Sequence, residues 1–409
     1  MTTRPPEELP AQLPFREFVA LMALMMSLVA LAIDVMLPAL ARIGQDLGVS
    51  AQNDNQLILS VLFLGLALGQ MVYGPLSDSR GRKPAVLAGF ALFALGCLLS
   101  ILASDLSTML VGRFLQGLGL AGPRVVSVAL IRDQYEGPGM ARVMSFVVAV
   151  FIFVPMIAPA LGQLILEVAP WRAIFVCLLA LGSLICLWFM VRQPETLAAA
   201  DRVPFSLGRT AAAVREIASI RASLGYTLTA GLVSGAFLGY LTSSQQILQQ
   251  LYAQGDRFPL LFAALALCVG AASFLNGRLV LRFRMQALAK FATTALCLLS
   301  LLGLALFAAQ GGKPPLGLLM AYLAVALFCV GILFGNLNAL AMEPLGHIAG
   351  LGAAVVGSLT TLLSIPVGTW IGRGFNDTVL PMLLGFALCA ALARGVLQWT
   401  GLPEAAAEG

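Results

Sequence analysis

Nineteen acidic residues are spread over the 409-residue chain, and only Asp34 falls well inside a long apolar run. Glu17, Asp54, Asp133, Glu167 and Glu343 stand at the ends of such runs; the rest lie in polar stretches or near the termini. A carboxylate among apolar side chains is expensive, and its chemistry is gain and loss of a proton. Two arginines, Arg113 and Arg124, also sit inside one apolar run. Asp34 lies about 7–8 Å inward from the end of its span, and Arg113 about 6 Å inward on the same side. The two are level and opposite in charge, so the reading expects them to pair in at least one state, either as a switch or as a purely structural ion pair. Arg124 follows Arg113 by about three helical turns, which puts both on one face roughly 16 Å apart. It either faces a central cavity or snorkels to headgroups.

Metal and cofactor chemistry find no support in the sequence. The seven cysteines all lie in apolar runs without CxxC spacing and read as small buried hydrophobes. The single histidine, His347, falls in a polar loop. A phosphate-cradling P-loop is missing, which argues against an ATP-driven pump, and no nucleophile–base pair suggests an enzyme. The expected cofactor and metal content is none.

The elements that carry these charges follow from composition. The chain is 60% hydrophobic and 11% charged, with a mean hydropathy of +0.94; ordinary soluble chains carry about a quarter charged residues. A membrane helix takes about 20 apolar residues, and roughly 245 are available. The runs are long and continuous rather than the alternating ten-residue segments of an outer-membrane barrel. An all-α integral membrane protein of twelve spans is expected, near 17–39, 56–75, 85–103, 109–130, 142–166, 172–191, 223–248, 258–277, 289–308, 317–341, 353–372 and 379–398. The polar stretch 192–222 separates a six-helix half, 1–191, from a second, 223–409, and Phe205 to Ile220 reads as a surface amphipathic helix. Met1 to Pro14 lacks the features of a cleaved signal peptide.

With both termini cytoplasmic, seventeen basic residues fall on the cytoplasmic side and five opposite: Arg42, Arg172, Arg257, Lys313 and Arg373. That bias is the positive-inside pattern of an inner membrane. The net charge of +5 therefore points to the lipid bilayer and not to nucleic acid.

Several motifs then coincide. Gly74-Pro75-Leu76-Ser77-Asp78-Ser79-Arg80-Gly81-Arg82-Lys83 resembles the loop signature between the second and third spans of the major facilitator superfamily. Ser79 stands where a basic residue is frequent. The resemblance implies a gate, with Asp78 accepting from the N-terminus of the eleventh span and Gly74, Arg80, Gly81, Arg82 and Lys83 shaping the turn. Arg113-Phe114-Leu115-Gln116-Gly117 resembles the family's R-x-x-Q-G element. Pro155, Pro159 and Gly162 on one face of the fifth span resemble the proline-glycine signature of antiporters. With Pro194-Glu195-Thr196-Leu197, the set is similar to drug:proton antiporters of the bicyclomycin and chloramphenicol resistance branch. That likeness implies two pseudo-symmetric halves rocking about a midplane site, a small-molecule substrate exported against protons, and a monomer. With Asp34, Arg113 and Arg124, the residues Gln116, Tyr240, Gln245, Asn336, Asn338 and Ser364 are candidates for substrate contact, the polar ones each able to bond a neighbouring helix instead. The rivals are a proton symporter importing a polar nutrient, and a sensor or structural protein that keeps only the fold.

Overall fold

The computed structural model describes residues 13–401. The readings made on the two ends of the chain, 1–12 and 402–409, lie outside the described residues. Twelve long helices run through the described part, with no strand among them: α1 Phe15–Asp34, α2 Leu57–Arg80, α3 Arg82–Leu102, α4 Leu106–Gln134, α5 Gly137–Val168, α6 Arg172–Arg192, α7 Arg221–Gln245, α8 Phe258–Leu279, α9 Met285–Ala308, α10 Leu316–Met342, α11 Ala349–Arg373 and α12 Leu380–Thr400. Eleven helical stretches among the described residues are long and apolar enough to cross a bilayer; one of them, the 58-residue Leu316–Arg373, runs over both α10 and α11 and is broken at Glu343–Ile348, where Leu345 leaves helical geometry (φ −104°, ψ 20°).

Local chemistry sets the ends. Asp105 caps α4, its carboxylate accepting from the Thr108 amide at 2.9 Å, and these hydrogen bonds hold that carboxyl below the usual range. Gly81 turns the chain between α2 and α3 with φ +106°, a value that favours glycine. Only there does the expected turn occur. Gly74 to Arg80 continue α2 as helix, so Gly74 makes no turn; an added Cβ there would meet Ala354 of α11 at an ordinary 3.8 Å. The helix α4 likewise outruns its expected end and reaches Gln134.

Helices α1 to α6 pack among themselves, chiefly α2 and α3 on α4 and α1 on α5; α7 to α12 do the same, chiefly α7 on α11 and α12. Across the two sets, α2 meets α11 and α5 meets α8. Ser358 Oγ of α11 donates to the Ala67 carbonyl of α2 at 2.6 Å. The amphipathic helix foreseen in the linker forms at Leu207–Ser219. Its Ala213 and Ile217 are buried with Ala341, Leu345, Val355 and Val356 of the second set, and Glu216 meets His347 at 2.7 Å.

The two ends of the bundle differ. The basic end carries the motif between α2 and α3, the linker and the α8–α9 turn with its exposed Arg282 and Arg284. At the opposite end the two sets are knitted together. Asn53 donates to the carbonyls of Arg373 and Phe375, both at 2.9 Å; Gln246 donates to Asn53 at 2.6 Å; Arg373 pairs with Asp54 at 2.7 Å. Residues 32–40 and 238–248 are buried without exception. That end is sealed. Toward the basic end, Val128 of α4 and Gly335, Asn338 and Ala339 of α10 are exposed, and Arg124 is half-buried.

Candidate functional site

The first helix breaks at Asp34. Val35 and Met36 form a turn, Leu37–Ala39 a single 3-10 turn, and Leu40–Asp46 resumes the helix. Pro38 causes this: it has no N–H to return to the Asp34 carbonyl. Gly162 of α5 holds the break in place, because a Cβ there would overlap the Val35 carbonyl oxygen. Pro155, Pro159 and Gly162 are all helical in α5, so the proline-glycine element lies against the α1 discontinuity. Such interruptions are tolerated at membrane depth only where protein or a cavity surrounds them.

Asp34 is 4% exposed and is the one buried carboxylate among the described residues. No hydrogen bond or ion pair reaches it there. The pair with Arg113, expected in at least one state, is not made in this structure. Arg113, fully buried, donates instead to the Ala32 carbonyl at 3.1 Å, to the Ile58 carbonyl at 3.2 Å and to Gln116 Oε1 at 2.6 Å, with the Phe175 ring 5.8 Å away. Gln116 passes the chain on, donating to Ser100 Oγ at 3.0 Å. Arg113 does lie beside α1, bonded two residues from Asp34, but backbone carbonyls on two helices satisfy its guanidinium as a carboxylate would.

Arg124 shares the face of α4 that carries Arg113. It lies ten residues before the end of α4 rather than six before the end of a shorter span, about 15 Å along the axis. No hydrogen bond, ion pair or ring contact engages it among the described residues. Facing α1 from the second set, Tyr240 is buried within an aromatic group: its ring stacks on Phe262 at 5.8 Å, and Phe237 lies 6.2 Å from Tyr240 and 5.4 Å from Phe334. The Tyr240 hydroxyl is enclosed without a partner. Phe237, Phe262 and Phe334 carried no distinctive sequence signal, since aromatics at helical spacing also fill cores.

The remaining polar candidates divide. Asn336 exchanges hydrogen bonds with Asn276 at 2.8 and 3.3 Å, so it ties α10 to α8. Ser364 donates to the Thr361 carbonyl of its own helix at 2.7 Å. Gln245 donates to Gln249 at 3.0 Å within the sealed end. Asn338 is exposed toward the basic end. These four are not gathered round Asp34.

The motif at the basic end builds a brace. Arg82, 4% exposed, contacts Asp78 Oδ1 at 2.5 Å, Ser77 Oγ at 2.9 Å and Asp133 of α4 at 2.8 Å. Glu195 accepts from the amides of Arg82 and Lys83 at 2.9 and 3.0 Å, an anion on the N-terminus of α3. A Cβ on Gly81 would strike that carboxylate. Arg80 is exposed. Asp78 therefore does not meet the N-terminus of α11: a buried arginine one turn away, held also by Asp133, is the nearer charge. Arg132 stands over Gly350 there instead, 2.6 Å from where a Cβ would be. The roles of Glu195 and Asp133 were not foreseen, although a glutamate just past a helix-ending proline was visible.

Twelve apolar helices, a broken first helix with a buried acid at the break, and a charged brace between the second and third make this a polytopic helical membrane protein. The Major Facilitator Superfamily profile matches residues 22–369. The chain belongs to that superfamily. It is 30% identical over 377 residues to the uncharacterized MFS-type transporter YdgK of Bacillus subtilis, covering 91% of this chain and 92% of that one. It is 29% identical to a bicyclomycin resistance protein homolog of Haemophilus influenzae (92% and 94% covered) and 27% to the multidrug resistance protein MdtL of Klebsiella pneumoniae (92% and 93%). Among solved structures, the D-xylose-proton symporter matches with a TM-score of 0.73 at 15% identity, covering 95% of this chain and 98% of that one. The human organic anion transporter MFSD10 matches at 0.66 and 20%, covering 95% and 99%. At those identities the structures speak to fold alone.

Proposed function

We propose that the protein is a proton-coupled exporter of small molecules, working as a monomer in the inner membrane with the basic end in the cytoplasm and its two six-helix halves alternating access. The observation that carries this reading is Asp34, buried at the α1 break with no hydrogen bond or ion pair among the described residues while Arg113 is satisfied elsewhere. An acid so placed is neutral at low cost and charged at high cost. It carries the coupling proton, taken up when the site opens to the outside and released toward the cytoplasm when the substrate exchanges. Relatives named for bicyclomycin and multidrug resistance support export and a toxic or drug-like cargo.

Arg124 narrows the cargo. With Arg113 and Asp34 it leaves the interior with one formal positive charge when Asp34 is ionised and two when it is protonated. Such a field favours anionic, zwitterionic or neutral polar ligands over lipophilic cations.

The test is an everted-vesicle assay with an imposed pH gradient, after a tolerance screen has supplied a transported compound. Wild type is expected to accumulate it in acid-loaded vesicles; Asp34→Asn is expected to reach the same membrane level and accumulate none. Full gradient-driven uptake by Asp34→Asn removes Asp34 from the mechanism. Movement of cargo and proton in the same direction makes the protein a symporter.

A further inference from the structure

We infer that the cleft between α9 and α12 at the basic end binds the phosphate of an anionic phospholipid headgroup. The cleft, of about 610 Å³, is lined by Lys290, Arg394, Gly395, Gln398, Trp399 and Gly401. Among the described residues it contains two cations and no acid. The Arg394 Nε donates to Thr294 Oγ1 of α9 at 3.0 Å, while its Nη1 is enclosed and meets no acceptor among the described residues. Lys290 is exposed. Behind Trp399, Arg221 donates to the Trp399 carbonyl and lies 5.0 Å over the indole ring; its Nε is likewise enclosed without an acceptor.

Leaving the Arg394 guanidinium short of an acceptor is costly, so the cleft calls for an anion that offers several oxygens, and guanidinium with ammonium is the donor set that suits phosphate. Depth selects the source. Lys290 lies five residues inside the start of α9 and Arg394 six before the end of α12, about 7–9 Å along each axis. The two charges are therefore level with each other and below the loops, where headgroups meet acyl chains. Trp399 at the mouth is placed as interfacial aromatics are. Phe291, next to Lys290 on α9 and 72% exposed, offers apolar surface for the chains that a lipid has and free phosphate lacks. Basic pockets between membrane helices take anionic headgroups for these reasons. Gly395, where a Cβ would meet nothing within 4 Å, keeps the floor open.

The test uses the full chain in nanodiscs of phosphatidylethanolamine containing one part in five phosphatidylglycerol, with lipids retained after gentle extraction counted by native mass spectrometry. Wild type is expected to retain phosphatidylglycerol several-fold above its share. Arg394→Gln and Lys290→Gln are each expected to lower that enrichment at least threefold, and Arg394→Lys to keep part of it. Lys290→Gln alters an exposed side chain, so its result stands even if Arg394→Gln folds poorly. Arg282→Gln, an exposed charge outside the cleft, is expected to retain full enrichment. Equal enrichment in wild type, Arg394→Gln and Lys290→Gln overturns the site. An equal loss in Arg282→Gln shows diffuse surface charge and overturns it too, as does displacement of the lipid by millimolar inorganic phosphate. None of these readouts depends on transport.

Discussion

Charged residues at the basic end and at the centre of the bundle are treated in opposite ways. At the basic end Arg82 meets two carboxylates, Asp78 and Asp133, and Glu195 closes on the amides of Arg82 and Lys83. In the interior no hydrogen bond or ion pair engages Asp34 or Arg124 among the described residues, although Asp34 is buried and Arg124 half-buried. A paired charge is a fastener, since removing one member strands the other. An unpaired charge in the interior adds nothing to stability; under the proposed function a ligand or a proton completes it in some part of the working cycle. On that proposal the same residue types fasten one region and serve transport in the other.

The contrast is broken or sharpened by substitution. Asp34→Asn and Arg82→Ala form the widest opposition. The first is expected to abolish gradient-driven transport while leaving the melting temperature in detergent near wild type. The second is expected to cost about 2–4 kcal/mol of stability, because Asp78 and Asp133 lose the cation between them, with per-molecule transport reduced far less than in Asp34→Asn. Matching losses of stability in both would erase the distinction. Arg124→Ala comes next: binding of an anionic compound measured by calorimetry is expected to weaken roughly tenfold, the scale of one charge-assisted hydrogen bond, with expression unchanged. Robust export of lipophilic cations by wild type, unaltered in Arg124→Ala, would mean that Arg124 does not face the cargo. Gly162→Ala places a methyl on the Val35 carbonyl and is expected to cost about 1–3 kcal/mol, read as lowered thermal stability together with slower transport, since the strain falls next to Asp34. The smallest effect is assigned to Glu195→Gln, which keeps the shape and removes the charge from the α3 N-terminus, worth about 1 kcal/mol; an unaltered melting temperature would count against the brace.

Much of the fold was legible because a bilayer demands apolar runs of fixed length. The breaks at Gly81, Arg172 and the linker from Gln193 all fall where charge, glycine and proline interrupt those runs. The ends of α2 and α4 were not legible, since helices continue past the hydrocarbon into charged segments such as Ser77 to Arg80 and Arg132 to Gln134. Asp34 stood out by depth alone. What escaped was partnership. Arg113 is satisfied by the carbonyls of Ala32 and Ile58, and every residue has a carbonyl, so no side-chain spacing announces it. Asn336 was visible as a polar residue, yet its partner Asn276 sits sixty positions earlier on another helix. Arg82, one turn along from Asp78, was read only as part of a basic turn, and there proximity outweighed the pseudo-symmetric layout.

The linker sets a limit on movement. The Val203 amide is fixed to the Asp78 carbonyl at 3.0 Å, on the first six helices, while the helix beginning at Leu207 is buried against the second six. Four extended steps of at most about 3.6 Å and six helical residues at about 1.5 Å each separate Val203 from the buried Ala213. While both anchorages hold, these two attachment points at the basic end can stand no more than about 23 Å apart. The linker is thus a short leash, and an aperture wider than it allows requires one knot, Val203 to Asp78 being the weaker, to come undone first.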